Sequence, residues 1–159
     1  MPEATAEAEK KHPDAVFVTT DLGSIEHLSS SDITFALSVF DWNLGNNNST
    51  HKIIRLLQQQ YLSGAYVMFT LRTSGDIKKS HVTGSQNVGE SSIPYTIYSS
   101  SEMYSLCDTI VSGTGIKGSI FTNHGQPNPS TNFGFLSEVS YHAVLLSQNL
   151  NPLEAYTSL

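Results

Sequence analysis

Six histidines are the side chains of this chain best suited to bind a metal ion or to move a proton near neutral pH. They are His12, His27, His51, His81, His124 and His142. No two of them have the HxH or HxxxH spacing that places two imidazoles on one side of a strand or helix. Only His124 and His142 could meet, across neighbouring strands, and His142 is predicted to lie on the wetter face of its strand. The sequence therefore predicts no metal site.

The other reactive side chains also lack the spacing of a catalytic site. No serine lies in the GxSxG turn that exposes a hydrolase nucleophile, and the serine clusters at 29–31 and 99–101 are typical of turns. Residues 113–115 (GTG) resemble the start of a dinucleotide-binding loop but lack its third glycine and its helix. A glycosidase needs two carboxylates that act together, and neither Asp41 nor Glu138 has a visible carboxylate partner. We expect no catalytic residue, no cofactor and no enzyme activity.

Composition and charge argue against a protein that binds nucleic acid directly and against a membrane protein. The net charge is −6, and the eight lysines and arginines are scattered, so the clustered cations that bind nucleic acid directly are missing. No apolar run approaches the length of a membrane span, and no signal segment opens the chain, so no membrane partner is expected. Cys107 is the single cysteine, so no intramolecular disulfide can form. Cys107 is predicted to be a small core side chain.

Residues 32–74 are the stretch around which the elements of the chain are organised. Apolar and polar residues alternate over 32–39, which predicts a half-buried strand. Apolar residues recur at helical spacing over 53–61, and Gly64 follows as a stop, which predicts about three helical turns. Residues 65–71 are apolar on both faces, as expected of a strand covered on both sides.

The remaining segments read mainly as strands separated by turns. Strands are predicted over 15–25, 93–99, 116–122 and 133–147, a long exposed loop over 75–92, and an ambiguous helix or strand over 103–111. With 159 residues, the chain is expected to form one domain at 15–148, between an arm at 1–14 and a loose tail at 149–159. The predicted fold is all-β: an antiparallel β-sandwich, best described as a viral jelly roll with one short helix.

A family resemblance rests on this organising stretch. It is carried by Phe40, Asp41 and Trp42 at the end of the early strand, by Ile53, Ile54, Leu56 and Leu57 in the helix, and by residues 61–64 (YLSG) leading into 66–71 (YVMFTL). This pattern resembles the jelly-roll capsid proteins of picorna-like viruses, most of all the small coat proteins of the plant secovirus group. The likeness covers residues 32–75, with a plausible closing strand at 133–147.

The resemblance implies a structural protein of the virion, assembled in the host cytoplasm. Copies of the chain, or sister coat proteins, would be its partners in an icosahedral shell. Viral RNA would be enclosed with weak direct contact, because members of this family generally lack a strongly basic arm. The arm at 1–14 and the loop at 75–92 would make contacts between subunits or at the outer surface.

A carbohydrate-binding jelly roll is the alternative function from a different class. In such a module, exposed aromatic side chains stack on sugar rings. The candidates are Tyr95, Tyr98, Trp42 and Tyr104. Most of them alternate with core residues, which favours burial instead.

Overall fold

Four helices and seven strands follow one another along the part of the chain that the structure describes. The structure is a computed structural model, and it describes residues 2–18, 20, 24–42, 47–127 and 133–157. The elements are α1 (Pro2–Lys11), β1 (Ile33–Ala36), α2 (Val39–Trp42), α3 (Asn47–Leu62), β2 (Tyr66–Thr73), β3 (His81–Val88), β4 (Ser91–Tyr98), α4 (Ser100–Ile110), β5 (Gly118–Gly125), β6 (Val139–Leu146) and β7 (Glu154–Thr157). Within those ranges, no helix combines the length and the apolar character needed to cross a membrane.

All seven described strands belong to one mixed sheet. Its order is β3-β4-β2-β6-β5-β7, and β1 also pairs with β2. The central strand β2 runs antiparallel to β6 and parallel to β1. The parallel pair arises because α2 and α3 connect β1 to β2, and a helical crossover returns the chain in the same direction.

The predicted fold class is confirmed at the level of a β-rich protein. The sheet is mixed instead of wholly antiparallel, because β5 and β7 are also parallel neighbours. The described strands form one sheet that does not close, whereas a jelly roll has two facing sheets. The jelly roll itself is therefore not confirmed.

Helices α3 and α4 cover one face of this sheet. Ile53, Leu57 and Tyr61 recur on one stripe of α3 and are buried against the sheet. On β2, alternate residues are buried on that side, beginning with Val67. Gly64 ends the turn after α3 with a φ of 94°, a conformation that glycine adopts without strain. Cys107 on α4 is fully buried in the same core, as predicted.

A second, smaller core lies at the other end of the sheet. It is built from residues of β4, of β6, of the chain segment just before β6, and of the segment between β2 and β3. Its buried members are Ile77, Tyr95, Ile97, Phe133, Leu136 and Val139. The segment that the sequence assigned to a long strand at 133–147 is therefore a turn first and a strand only from Val139. Phe133 and Leu136 are apolar because they fill this second core.

Three other segments differ from the sequence prediction. The predicted loop at 75–92 contains β3, which pairs with β4 from His81 to Val88 although its side chains lack an apolar alternation. The predicted strand at 15–25 lies partly outside the described residues, and its described residues form no strand. In the predicted tail, β7 pairs with β5. Backbone pairing, which the side-chain pattern does not reveal, forms both β3 and β7.

More helix is present than the single short helix predicted. The ambiguous segment at 103–111 lies in and just after α4, whose N-cap Ser99 accepts a hydrogen bond from the backbone N–H of Glu102. Part of the predicted arm at 1–14 is α1, where Lys11 and Glu7 form an exposed ion pair one turn apart. The division into an arm at 1–14, a domain at 15–148 and a tail at 149–159 stays a prediction.

Candidate functional site

The face of the sheet opposite α3 and α4 carries a group of large apolar side chains that are exposed or half-buried. We call it the apolar patch and define it as Ile33, Phe35, Tyr66, Met68 and Leu145. The backbone register places Ile33 beside Tyr66, Phe35 beside Met68, and Met68 beside Leu145. Ile33 is 50% exposed and Phe35 is 60% exposed, whereas Tyr66, Met68 and Leu145 are half-buried. The patch therefore runs without interruption across three strands.

The patch exists because the described helices that pack on the sheet lie on the opposite face. Residues 65–71 were predicted to be covered on both sides, and only the side facing α3 and α4 is fully buried. The strand predicted over 32–39 is confined to β1, because α2 begins at Val39. The apolar side of β1 faces away from α3 and α4, and Ala36 is its buried residue. An alternating pattern identifies two faces of a strand without telling which of them the rest of the chain covers.

Beside the patch lies a cleft of about 400 Å³. It is formed where Ser38 and Asp41 meet side chains of β2, β5 and β6. Its principal lining residues are Ser38, Asp41, Thr70, Phe121, Asn123 and Tyr141, together with Arg72. The cleft combines polar side chains, an ion pair and aromatic surface, the mixture typical of small-molecule sites.

An ion pair between Asp41 and Arg72 forms the floor of the cleft. Arg72 Nη1 donates a hydrogen bond to Asp41 Oδ2. The guanidinium lies over two aromatic rings, with Arg72 Cζ 5.1 Å from the ring centroid of Tyr95 and 4.9 Å from that of Tyr141. Such cation–π contacts fix the plane of the guanidinium. The pair thereby ties α2 to strands β2, β4 and β6.

Two polar atoms of the ion pair lack hydrogen-bond partners among the described residues. Asp41 is 2% exposed and the Arg72 side chain 23% exposed. Asp41 Oδ1 and Arg72 Nε are buried, and neither has a hydrogen-bond partner among the described residues. Burial raises the pKa of Asp41 to about 6, and the opposing effect of the Arg72 charge is smaller. The floor thus holds one hydrogen-bond acceptor and one donor that remain unused.

The wall of the cleft is aromatic. Phe121 on β5 is 50% exposed and stacks on Tyr156 of β7, with ring centroids 5.5 Å apart and ring planes 19° apart. The parallel pairing of β5 with β7 sets this stack, because Phe121 and Tyr156 are register partners. Asn123, two residues further on β5, lines the cleft on the same side of the strand. A flat apolar surface therefore stands next to a polar rim.

The two histidines that the sequence singled out do come together on neighbouring strands. His142 is buried, and its Nε2 lies 2.8 Å from Thr73 Oγ1 while its Nδ1 lies 2.9 Å from Thr122 Oγ1. Burial, with a smaller effect of His124, lowers the pKa of His142 to about 4. The prediction that His142 lies on the wetter face was wrong. Since both ring nitrogens are engaged, His142 is held as a neutral structural residue.

His124 is arranged differently and also lacks the geometry of a relay. Its Nδ1 lies 2.7 Å from Glu138 Oε1 and 2.9 Å from Ser140 Oγ. A catalytic triad needs the nucleophile and the orienting acid on opposite ring nitrogens, whereas here both partners meet the same nitrogen. Within the described ranges, no three His, Cys, Asp or Glu side chains are grouped to hold a metal ion.

Two of the four aromatic residues proposed from the sequence for sugar stacking are unsuited to it because they are buried. Tyr95 and Tyr98 are buried, and the Tyr98 hydroxyl donates a hydrogen bond to the carbonyl of Phe40. Tyr104 is exposed on α4. The side chain of Trp42 lies outside the part that the structure describes. No pattern in the sequence singles out Phe121 and Tyr156, which meet only through the pairing of β5 with β7.

Comparison with known sequences adds no functional assignment. No protein-family model matches the chain. No curated protein sequence matches it significantly.

Proposed function

We propose that this chain is a structural coat subunit that associates with copies of itself through the apolar patch, as part of an icosahedral shell that encloses RNA. The apolar patch is the observation that carries the proposal. Contiguous exposed apolar surface on a folded chain is typical of a protein–protein contact, because leaving it in water is unfavourable. Shielding Ile33 and Phe35 from water in an interface would remove this penalty.

Charge is compatible with a second copy of the same chain as the occupant. The chain has a net charge of −6, so two copies repel each other, but contact through an uncharged surface adds no close carboxylate pairs to that repulsion. None of the five patch residues carries a charge. Two patches can therefore approach each other without bringing carboxylates together. Facing sheets pack about 10 Å apart, so this contact would build the two-layer packing of a β-sandwich from two subunits.

The coat-protein class comes from the resemblance. The stretch at 32–75 that resembles coat proteins contains every patch residue except Leu145. The scattered lysines and arginines suit a shell that encloses RNA with weak direct contact, since few phosphates would be neutralised. Assembly in a host cytoplasm and residence in the virion belong to the same proposal, as does the jelly roll as the family's architecture.

Sedimentation of the full chain tests the proposal. We expect the wild-type protein to form dimers or larger particles as its concentration rises, and negative-stain electron microscopy to show their shape. Phe35→Glu places a charge in the patch and should yield a monomer. Phe135→Glu is the matched control, because Phe135 is also exposed but lies outside the patch.

Two outcomes would contradict self-association through this face. One is a wild-type chain that stays monomeric at every accessible concentration. If particles from the natural source nevertheless contain this chain beside other coat chains, its partner is a sister protein. The other is a Phe35→Glu protein that associates as strongly as Phe135→Glu. Particles without RNA would contradict the coat function but leave the interface intact.

A further inference from the structure

The unused hydrogen-bonding groups on the floor of the cleft define what a ligand would have to supply. Asp41 Oδ1 needs a donor and Arg72 Nε needs an acceptor, and both groups belong to one ion pair. Leaving such groups buried without partners is unfavourable. A ligand that offers a donor and an acceptor side by side would satisfy both.

The ligand should carry no net charge. The carboxylate of Asp41 and the guanidinium of Arg72 neutralise each other at the floor. An anion would be attracted by one and repelled by the other, and the same holds for a cation. The other principal lining side chains, namely Ser38, Thr70, Asn123, Phe121 and Tyr141, are uncharged at neutral pH.

The shape of the cleft adds two further requirements. Its volume of about 400 Å³ lies within the range of about 300–1,000 Å³ of small-molecule pockets. The exposed ring of Phe121, supported from behind by Tyr156, offers a flat apolar surface. Asn123 and Thr70 offer further hydrogen bonds at the rim. The ligand therefore needs one apolar face and several polar groups around its edge.

We propose that the cleft is a binding site for a neutral saccharide, with one sugar ring stacked on Phe121 and two neighbouring hydroxyls bonded to Asp41 and Arg72. A sugar ring has a C–H face that packs on an aromatic ring, and hydroxyls that both donate and accept hydrogen bonds. One hydroxyl donates to Asp41 Oδ1, and the next accepts from Arg72 Nε. Because both atoms are shielded from water in the free chain, binding requires the Arg72 side chain, which is 23% exposed, to slide within the plane that its contacts with Tyr95 and Tyr141 define.

This site does not rest on the proposed assembly. The cleft belongs to a single chain, and none of its principal lining residues is among the five patch residues. A monomeric Phe35→Glu protein should therefore still bind the sugar. The aromatic platform also differs from the tyrosines that the sequence suggested, because Phe121 and Tyr156 are joined only in the folded sheet.

Saturation-transfer NMR of the full chain with the methyl glycosides of glucose, galactose and mannose, at neutral pH, tests the proposal. We expect at least one glycoside to show saturable binding in the millimolar range. Phe121→Ala should weaken it by about tenfold or more, since an aromatic stack contributes about 1 kcal/mol beyond the area that it buries. Phe135→Ala is the control and should bind as the wild type does.

Asp41→Asn provides a second test at the floor. The amide keeps an oxygen for Arg72 but replaces one carboxylate acceptor by an NH₂ donor, so the charge-assisted hydrogen bond from the sugar is lost. We expect binding to weaken in this variant, whereas Phe135→Ala should bind as the wild type does. Absence of saturable binding for all three glycosides would overturn the proposal. Equal binding by the wild-type and Phe121→Ala proteins would overturn it as well. If Phe35→Glu no longer associates but still binds the sugar, the apolar patch and the cleft act independently.

Discussion

Asp41 and His142 are both buried titratable residues, and burial shifts their pKa values in opposite directions. The pKa of Asp41 is about 6 in the folded chain and 3.8 in a model peptide, so the folded state binds this proton more tightly. The stability that follows is fully present below pH 3.8 and is lost as the pH rises through about 6. The pKa of His142 falls from 6.5 to about 4, so its contribution is present above pH 6.5 and is lost as the pH falls through about 4.

These two residues should therefore oppose each other between about pH 4 and 6. We expect His142→Gln, relative to the wild type, to lose stability as the pH rises through this window, and Asp41→Asn to lose stability as the pH falls. Each difference should be at most about 3 kcal/mol, because one pKa unit corresponds to about 1.4 kcal/mol. Urea unfolding of the wild type and of the two variants, repeated between about pH 4 and 6, measures these differences in stability. Slopes of the same sign for both variants would contradict the assignment.

The surroundings of Asp41 and His142 were only partly predictable from the sequence. The partners Asp41 and Arg72 lie 31 positions apart, and only the fold brings them together. A signal was nevertheless present, because Arg72 is a charged residue at the end of an apolar strand. His142 shares its strand face with Val144 and Leu146, which are both buried. Extending the alternation toward Leu146 would have placed His142 inside.

At the scale of elements, the pairing of β5 with β6 depends on Gly118. A Cβ at this position would lie 2.0 Å from the carbonyl oxygen of Leu145, which belongs to the backbone of β6 and cannot move away alone. We expect Gly118→Ala to push the strands apart and to destabilise the protein by about 1–3 kcal/mol or more. Gly134→Ala is the matched control, since nothing lies within 4 Å of its added Cβ.

Thermal and urea unfolding of these two glycine variants measure the difference. A Gly118→Ala protein as stable as Gly134→Ala would show that β5 and β6 are not held at this spacing. The β5–β6 pair also matters for the cleft, because it brings Phe121 of β5 and Tyr141 of β6 into the lining of the cleft. Disruption of the pair should therefore also abolish sugar binding.

Elements were predictable where side-chain periodicity was strong. The apolar spacing over 53–61 and the stop at Gly64 located α3, and the apolar run over 65–71 located β2. The strand β3 has no such pattern, since its sequence is HVTGSQNV, and it forms because β4 supplies backbone partners along its whole length. The alternation in the short strand β1 is clear from the sequence, but the sequence does not reveal which of its two sides is exposed.

At the scale of the whole molecule, the sheet order could not be read from the chain. β2 pairs with β1, β4 and β6, which are distant in sequence, and the parallel pairs depend on how the helices cross the sheet. The sequence predicted a β-rich fold with two apolar faces on its central strand. That prediction suits a sandwich, and the described residues supply only one of its two layers, which is why the uncovered face is a candidate interface.

The N-terminal segment provides the last test at this scale. Helix α1 is rich in Ala, Glu and Lys, and Val16 and Val18 just after it are largely exposed. Because this segment contributes no residue to either buried core, deleting residues 1–14 should leave the unfolding midpoint unchanged.

We expect the same deletion to weaken association, because a segment that contributes to neither buried core can bury further surface by ordering against another subunit. Sedimentation of the shortened and full chains at matched concentrations measures this effect. A truncation of the C-terminal residues 158–159 serves as the control for simple shortening. Unchanged association after removal of residues 1–14 would show that the apolar patch acts without the arm. A lowered unfolding midpoint would instead show that the arm stabilises its own chain.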